Sequence, residues 1–186
     1  LQAETVRFTS PLAPARLDAI ARLRMGLLDK CILRFERVHW PPAFDWIEWL
    51  GPNDGYWNQW LSLSRATRQP VLVGFNAGRQ ALDIEALDDV ATVDAAVSAL
   101  RAMFGSRFPA PIAARVTRWA RQPQTLGAYS FCSVGTSADT RDALAGSDWD
   151  GVLQFAGEAC SRDYFGTTHG ALLSGREAAE RLRQPV

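Results

Sequence analysis

The chain has 186 residues, 47% of them apolar, and its 20 basic and 20 acidic residues give a formal net charge of zero. A chain of this length and composition can bury a substantial core. Because the charges are interspersed, the sequence has neither the basic stripe typical of nucleic-acid-binding surfaces nor the polybasic run typical of membrane-binding ones. The composition therefore predicts neither a nucleic-acid partner nor a membrane partner.

The cysteine and histidine pattern predicts no metal site and no disulfide framework. Cys31, Cys132 and Cys160 form no C-x-x-C pair, and His39 and His169 are the only histidines. No apolar run approaches the roughly 20 residues that span a bilayer, and the first residues lack the layout of a signal peptide. The expected location is therefore the cytoplasm, unless a signal sequence preceded the first residue.

Hydrophobic patterning and turn residues predict a strand-rich first half. The prolines at 41 and 42 cannot donate to a ladder, so residues 40–42 should form a loop. In chain order, we expect a strand at 5–8, a short helix at 15–23, a long strand at 27–38, a strand at 46–49, a turn at 51–55, and strands at 56–63 and 71–75.

The second half has helical as well as strand patterns. The longest helical pattern runs over 90–104 and stops at Gly105, a common residue after a helix. We expect a helical stretch from 78, a helix at 90–104, a strand at 113–119, irregular structure at 120–137, a short helix at 139–144, a buried strand at 151–156 and a helix from 167 to about 182. The fold class is therefore mixed, α+β.

The most informative segment joins the strand at 151–156 to the final helix. The strand is followed by Gly157 and Glu158, and the helix carries small residues three to five positions apart. Such a stripe allows a flat group or another backbone to approach closely, and the free N–H groups at a helix start favour hydrogen-bond acceptors. Ordinary strand-to-helix packing is the alternative. The stripe consists of Gly170, Ala171, Ser174, Gly175 and Ala178.

Three motifs in order resemble those of the flavin amine oxidases, which include polyamine oxidases, monoamine oxidases and lysine-specific histone demethylases. F-A-G-E-A at 155–159, followed by T-x-H-G-A-x-x-S-G from 167, resembles their C-terminal flavin-contacting signature. M-G-L-L-D-K at 25–30 resembles the start of the strand that carries their active-site lysine. Trp119-x-x-x-Pro123 with G-A-Y-S at 127–130 resembles the segment lining their substrate site.

The resemblance implies an architecture as well as a chemistry. It implies a mixed-sheet substrate domain with flanking helices, together with the last strand and helix of a Rossmann-like FAD-binding domain. We assign residues 1–118 to the substrate-binding domain and residues 119–186 to the C-terminal segment of the FAD-binding domain, including the substrate-site loop.

The resemblance also implies roles for substrate-site residues. Lys30 matches the lysine that holds a water near the flavin N5 atom, where a cation would stabilise developing negative charge; the alternative is a strand lysine extending to solvent. Tyr129 matches an aromatic wall of the substrate site, Thr167 occupies the opposite wall, and Trp119 belongs to the lining segment. Because the wall at Thr167 is not aromatic, a monoamine-oxidase substrate is disfavoured.

Five residues match positions that contact the cofactor, which the resemblance implies to be FAD. Gly157 and Glu158 would lie beside its ribityl and diphosphate groups, with the carboxylate accepting from ribityl hydroxyls. The backbone N–H of Thr168 would meet the flavin C2 carbonyl, and Thr167 and Ala171 would contact the flavin from the same helix. His169 is assigned to packing rather than to catalysis.

One cofactor feature is absent from the sequence. No G-x-G-x-x-G follows a strand, although this motif grips the diphosphate of FAD and lies near the N-terminus in the family. We therefore expect the chain to be a fragment that needs an N-terminal FAD-binding part and that alone binds no FAD and catalyses no reaction. We also expect it either to self-associate as a homo-oligomer or to remain bound to that part.

The implied function of the complete enzyme is amine oxidation. A hydride would pass from the amine to FAD, with O2 reduced to H2O2. Gln122, Ala128 and Phe131 depart from the family pattern and leave the identity of the amine open. Two alternatives remain: a non-catalytic module or subunit with oxidase ancestry, and a related flavoprotein oxidase or desaturase acting on an amino acid or another substrate.

Overall fold

The structure is a computed structural model, and it describes residues 1–3, 5–52 and 55–183. Within these ranges the chain forms nine strands and six helices. The strands are β1 (Leu23–Gly26), β2 (Leu28–Arg34), β3 (Trp46–Glu48), β4 (Gln59–Ser62), β5 (Val71–Ala77), β6 (Ala113–Val116), β7 (Tyr129–Cys132), β8 (Gly146–Asp148) and β9 (Leu153–Phe155). The helices are α1 (Pro14–Arg22), α2 (Ser64–Thr67), α3 (Gly78–Glu85), α4 (Asp89–Phe104), α5 (Ala138–Leu144) and α6 (Thr168–Arg183), with single 3₁₀ turns at Trp119–Arg121 and Glu158–Cys160.

The chain divides into two compact units, and one of them is discontinuous in sequence. The first unit combines Leu1–Gly26 with Tyr129–Val186, and the second is Leu27–Ala128. These bounds differ from the predicted ranges 1–118 and 119–186 because β1 pairs antiparallel with β7, with Gly26 opposite Tyr129. The assignment of substrate-binding and FAD-binding domains stays a prediction.

The second unit is built on a five-stranded antiparallel sheet in the order β3-β4-β5-β2-β6. Burial alternates along β2: Asp29, Cys31 and Leu33 are buried, whereas Lys30 is only half-buried. Successive strand side chains point to opposite faces, so Asp29 faces the core side and Lys30 the other. This alternation separates the two neighbouring charged residues.

The core of the second unit lies between this sheet and helices α3 and α4. Trp60, Leu33, Leu72 and Leu100 are fully buried there. A Cβ at Gly74 would lie 2.8 Å from the Trp60 ring, so the glycine in β5 provides space for the indole. The glycine thus accounts for the break in an otherwise apolar strand.

The first unit contains α1, α5, α6, the β1–β7 ladder and the β8–β9 hairpin. Pro14 occupies the first turn of α1, where its missing N–H costs nothing. Helix α1 packs on α5. A second, smaller core forms around Leu12, Ala19, Leu23, Leu144, Phe155 and Cys160.

A buried arginine crosslinks the first unit. The guanidinium of Arg16 donates to both carboxylate oxygens of Asp148, over 2.9 and 3.0 Å, and lies 4.2 Å from the centre of the Phe155 ring. The Asp148 carboxylate also accepts from the backbone N–H of Ala13 at 3.1 Å. The remaining Arg16 donors bond to the carbonyls of Leu144, Ala145 and Ser147. The start of α1 is thereby joined to the end of α5 and to β8.

The predicted helices are confirmed to within one or two residues at 15–23, 90–104, 139–144 and 167–182. Asp88 caps α4 by accepting from the N–H of Ala91 at 2.8 Å, and the helix ends at Gly105. The strands predicted at 46–49 and 71–75 correspond to β3 and β5, while the predicted turn at 51–55 lies partly outside the described residues.

Several predicted strands are wrong in extent. Residues 5–8 form no strand; Phe8 instead packs against the rings of Trp149 and Phe155. The strand predicted at 27–38 stops at Arg34, because neither neighbouring strand pairs with it beyond that residue: Arg34 lies opposite Val71 of β5 and Ala113 of β6. The strand predicted at 56–63 begins only at Gln59, since Trp57 adopts a left-handed backbone with φ of 54°.

Two further differences concern the segment from 113 to 156. The strand predicted at 113–119 stops at Val116, and a 3₁₀ turn follows at Trp119–Arg121. Residues 120–137 are not wholly irregular, because β7 finds its partner more than 100 positions earlier in β1. The strand predicted at 151–156 shortens to β9, which pairs with β8.

No helix of the described residues is both long and apolar enough to cross a bilayer. The described ranges also contain no group of three or more His, Cys, Asp or Glu side chains arranged to hold a metal ion. Cys31, Cys132 and Cys160 are all free thiols.

Replacement of Asp148 by Asn should leave the Arg16 charge buried without its partner. We expect Asp148→Asn to destabilise the protein by about 3 kcal/mol, the typical cost of breaking a buried ion pair. Asp18→Asn removes the exposed partner of Arg22 and should cost less than about 0.5 kcal/mol. The measurement is the free energy of unfolding of each variant in the full-length protein; equal effects would contradict the assigned role of Asp148.

This stabilisation should also depend on pH. Hydrogen bonds from Arg16 hold the pKa of Asp148 below its ordinary value of 3.8. A group with a lowered folded-state pKa contributes its stability above the ordinary value, and that contribution is lost as the pH falls through the folded-state pKa. The difference between wild type and Asp148→Asn should therefore shrink only at strongly acidic pH.

Candidate functional site

The turn from β9 to α6 is fixed by one serine. Gly157 has a φ of 131°, a conformation open to glycine but strained for other residues. Its N–H donates to the hydroxyl of Ser174 at 2.9 Å, and its carbonyl accepts from the same hydroxyl at 2.8 Å. A Cβ at Gly157 would meet no described atom within 4 Å. The backbone here is held firmly and has open space beside it.

The first turn of α6 is capped by Thr167. Its hydroxyl oxygen accepts from the N–H of Gly170 at 3.0 Å and donates to the carbonyl of Tyr164 at 2.5 Å. The backbone N–H groups of Thr168 and His169 have no acceptor among the described residues. Two donors at the positive end of a 16-residue helix are therefore available to an acceptor group.

The stripe of small residues on α6 serves different purposes along its length. A Cβ at Gly170 would lie 2.0 Å from the carbonyl oxygen of Tyr164, so another part of the chain itself approaches the helix there. Ser174 and Ala178 are buried, whereas Ala171 is half-buried. A Cβ at Gly175 would meet no described atom within 4 Å. Close backbone packing thus explains Gly170 but not Gly175.

Glu158 binds two other parts of the first unit. One carboxylate oxygen accepts from the N–H of Ser130 at 2.9 Å, and the other accepts from the Ser130 hydroxyl at 2.8 Å and from the N–H of Gly166 at 2.5 Å. A carboxylate has about four acceptor positions, so three donors leave about one for any other group. The carboxylate therefore joins β7 to the residue before Thr167.

Ser130 and Arg141 belong to this arrangement but were not predicted from the sequence. Arg141 is 0% exposed; its Nη1 donates to the Ser130 hydroxyl at 2.7 Å and to the carbonyl of Ala159 at 3.1 Å. Its guanidinium lies 4.0 Å from the centre of the Phe165 ring. Ser130 belongs to the G-A-Y-S motif, so the sequence could have pointed to it. Arg141 could not have been found in this way, because an arginine on a short helix is normally exposed.

Tyr129 packs against glycines on two sides. A Cβ at Gly26, opposite it in the ladder, would lie 2.8 Å from the Tyr129 ring, and a Cβ at Gly166 would lie 3.9 Å from the Tyr129 Cβ. Gly166 directly precedes Thr167. The structure thus gathers Tyr129, Glu158 and Thr167 around one short loop. His169 packs edge-on against Tyr164, with ring centres 4.9 Å apart.

The other two candidates, Lys30 and Trp119, lie in the second unit. Lys30 is the only lysine of the sequence, and its Nζ lies 5.7 Å from the centre of the Phe75 ring. Its backbone N–H donates to the hydroxyl of Thr117 at 2.8 Å, and that hydroxyl donates to Asp29 at 2.9 Å. The N–H of Trp119 donates to the same Asp29 oxygen at 3.2 Å. Lys30 and Trp119 are therefore connected through a single buried carboxyl group.

A family model described as "Flavin containing amine oxidoreductase" matches residues 1–183. The chain belongs to this family. Rice (Oryza sativa subsp. japonica) polyamine oxidase 4 is 36% identical over 186 residues, which are 100% of this chain and 37% of that protein. The rice protein named lysine-specific histone demethylase 1 homolog 1 is 36% identical over 190 residues, 98% of this chain and 22% of that protein.

A solved structure shows the same fold. Wild-type putrescine oxidase bound to putrescine superposes with a TM-score of 0.73 at 17% identity, over 94% of this chain and 39% of that one. The chain therefore spans well under half the length of these similar proteins. The predicted family and the α+β fold class are both confirmed.

The close approach at Gly170 gives a stability test of the α6 packing. Gly170→Ala would drive a methyl group into the Tyr164 carbonyl, and we expect destabilisation of about 2 kcal/mol or more. Gly175→Ala, five positions along the same helix, should be neutral or stabilising by up to about 1 kcal/mol, because alanine favours helix over glycine. Thermal unfolding of both variants provides the measurement; a harmless Gly170→Ala would show that the 161–167 loop does not lie against α6.

Proposed function

We propose that the protein containing this chain is an FAD-dependent amine oxidase. The observation that carries the proposal is the family match across residues 1–183. The open space beside Gly157 and the capped start of α6 support it. Because the chain spans only part of its relatives, the activity belongs to the full-length protein.

The residues of the β9–α6 turn fit a flavin. Gly157 leaves open space beside its backbone, and the N–H groups of Thr168 and His169 are free of acceptors among the described residues. Thr167 and Ala171 lie on the same first turns of α6, and Glu158 has about one acceptor position left for a hydroxyl. When bound, the flavin would accept a hydride from the carbon bearing the amine nitrogen and pass the electrons to O2, giving H2O2.

The proposed substrate residues act by position and charge. Tyr129 would present its aromatic face to the amine, with Thr167 as the opposite, non-aromatic wall. Trp119 is proposed as a further residue that contacts the amine. Lys30 would hold a water beside the cofactor and stabilise negative charge that develops there. Its side chain is half-buried and its Nζ lies 5.7 Å from the centre of the Phe75 ring, so the ammonium could donate to such a water.

The proposed substrate is a polyamine or an amine such as putrescine. Polyamine oxidases are prominent among the relatives, and putrescine is the ligand named for the structural neighbour. The non-aromatic Thr167 wall agrees with this choice over a monoamine-oxidase substrate. Gln122, Ala128 and Phe131 differ from the family pattern in the lining segment and should tune which amine is accepted.

The full-length protein should be yellow and should oxidise amines. We expect flavin absorbance in the purified protein, bleaching of that absorbance by putrescine or spermidine without oxygen, and H2O2 release in air. A colourless protein that binds no FAD would contradict the proposal and favour a non-catalytic module. Bleaching by amino acids but by none of the amines would favour the amino-acid oxidase alternative.

Removal of the only lysine should slow the chemistry without loss of the cofactor. We expect Lys30→Met in the full-length protein to retain flavin and to slow amine oxidation or flavin reoxidation at least about tenfold, which corresponds to about 1.4 kcal/mol of transition-state stabilisation. Arg34→Met removes a charge from the exposed end of the same strand and serves as the control. Stopped-flow rates for both half-reactions check this, and wild-type values in Lys30→Met would exclude the assigned role.

A further inference from the structure

Two carboxyl groups are buried together in the second unit. Asp29 on β2 is 2% exposed and Glu85 at the end of α3 is 4% exposed. The two side chains are close enough to form a hydrogen bond with each other if one of them carries a proton. Acidic side chains are almost never this buried without a partner, so the pair needs a physical explanation.

The pair holds one short segment of backbone. One oxygen of Asp29 accepts from the Thr117 hydroxyl at 2.9 Å and from the N–H of Trp119 at 3.2 Å. One oxygen of Glu85 accepts from the N–H of Ala120 at 2.8 Å. Consecutive backbone N–H groups at the 3₁₀ turn are therefore bound by two different carboxyl groups. The orientation of Trp119 depends on both.

The second oxygen of Asp29 has no hydrogen-bond partner among the described residues. An unpaired carboxylate oxygen in the interior is costly, but a protonated one can donate. Glu85 is the side chain with which Asp29 can form that hydrogen bond, and one of its oxygens has only a 3.9 Å contact from Arg121. A single proton between the two carboxyl groups would satisfy the unpartnered Asp29 oxygen.

Among the described residues, Asp29 has no ion pair and Glu85 has only the 3.9 Å contact from Arg121. Arg121 is largely exposed, and its Nη2 bonds to the backbone carbonyl of Glu85. Arg118 donates to that carbonyl at 3.2 Å and pairs with Asp89 at 2.6 Å. Lys30 points to the opposite face of the strand. Burial, together with the neighbouring Glu85, raises the pKa of Asp29 to about 6.

We propose that Asp29 and Glu85 share one proton, held on the otherwise unpaired Asp29 oxygen and donated to Glu85, and that this pair is the positioning device for Trp119. The proposal rests on the proposed function in assigning Trp119 to the amine site. Asp29 and Glu85 touch neither substrate nor cofactor; they act through the backbone of residues 117–120.

Loss of the shared proton should loosen that backbone. Two buried carboxylates facing each other repel, so the 117–120 segment should become more mobile as the pH rises through about 6. Asn at position 29 would keep the oxygen that accepts from Thr117 and Trp119 and would donate permanently to Glu85. Asp29→Asn should therefore behave as the protonated pair at every pH.

Hydrogen exchange of the backbone amides of residues 117–121, in the full-length protein, tests the proposal. After correction for the intrinsic pH dependence of exchange, wild type should exchange at least about threefold faster at pH 7.5 than at pH 5, as expected when a group with a pKa near 6 loses its proton. Asp29→Asn and Glu85→Gln should each show less than about half of that change. Asp94→Asn, an exposed acid on α4, should match wild type.

The outcomes separate this proposal from the proposed function. A pH response in Asp29→Asn equal to that of wild type, or no response in wild type, would overturn proton sharing. Exchange needs no turnover, so it decides the proposal even if the protein oxidises no amine. If the protein oxidises putrescine, the KM of wild type should rise relative to the KM of Asp29→Asn between pH 5 and 7.5. The kcat of wild type relative to that of Asp29→Asn should change less. If the two KM values keep the same ratio at both pH values, the link to Trp119 is excluded.

Discussion

The candidate site of the first unit depends on the hydrogen bonds that the carboxylate of Glu158 accepts. This carboxylate accepts two hydrogen bonds from Ser130 on β7 and one from Gly166 in the loop before α6. Charge-assisted bonds of this kind are stronger than neutral ones, so a single side chain fixes the strand of Tyr129 against the cap of the helix. The proposed role of Glu158 toward a cofactor is therefore added to a structural role that the fold already needs.

Buried charge in this protein is stabilised in three different ways. Arg16 and Asp148 form a bidentate ion pair, whereas Arg141 uses one donor nitrogen and an aromatic ring. Asp29 faces another acid, Glu85, and forms no ion pair among the described residues. Burial and the neighbouring Glu85 raise the pKa of Asp29 to about 6, whereas hydrogen bonds from Arg16 lower that of Asp148.

Membership of the flavin-containing amine oxidoreductase family connects these features to redox chemistry. The chain spans 37% of the length of rice polyamine oxidase 4. The proposed division of labour is that the β9–α6 turn meets the flavin and that Lys30 and Trp119 serve the amine. The half-buried carboxylate of Glu158 joins residues of the first set, and the buried carboxyl group of Asp29 connects Lys30 and Trp119.

The sequence by itself determined the family, the fold class and the helices α1, α4, α5 and α6, because motifs and 3.6-residue periodicity are local properties of the chain. Its stripe of small residues also indicated the close approach at Gly170. The sequence did not determine that residues 5–8 remain irregular, that β1 pairs with β7, or that Arg141 and Glu85 are buried. Those outcomes depend on which distant segments come together: β1 and β7 are separated by more than 100 residues, and no local pattern specifies a strand's partner or the burial of a charged helix residue.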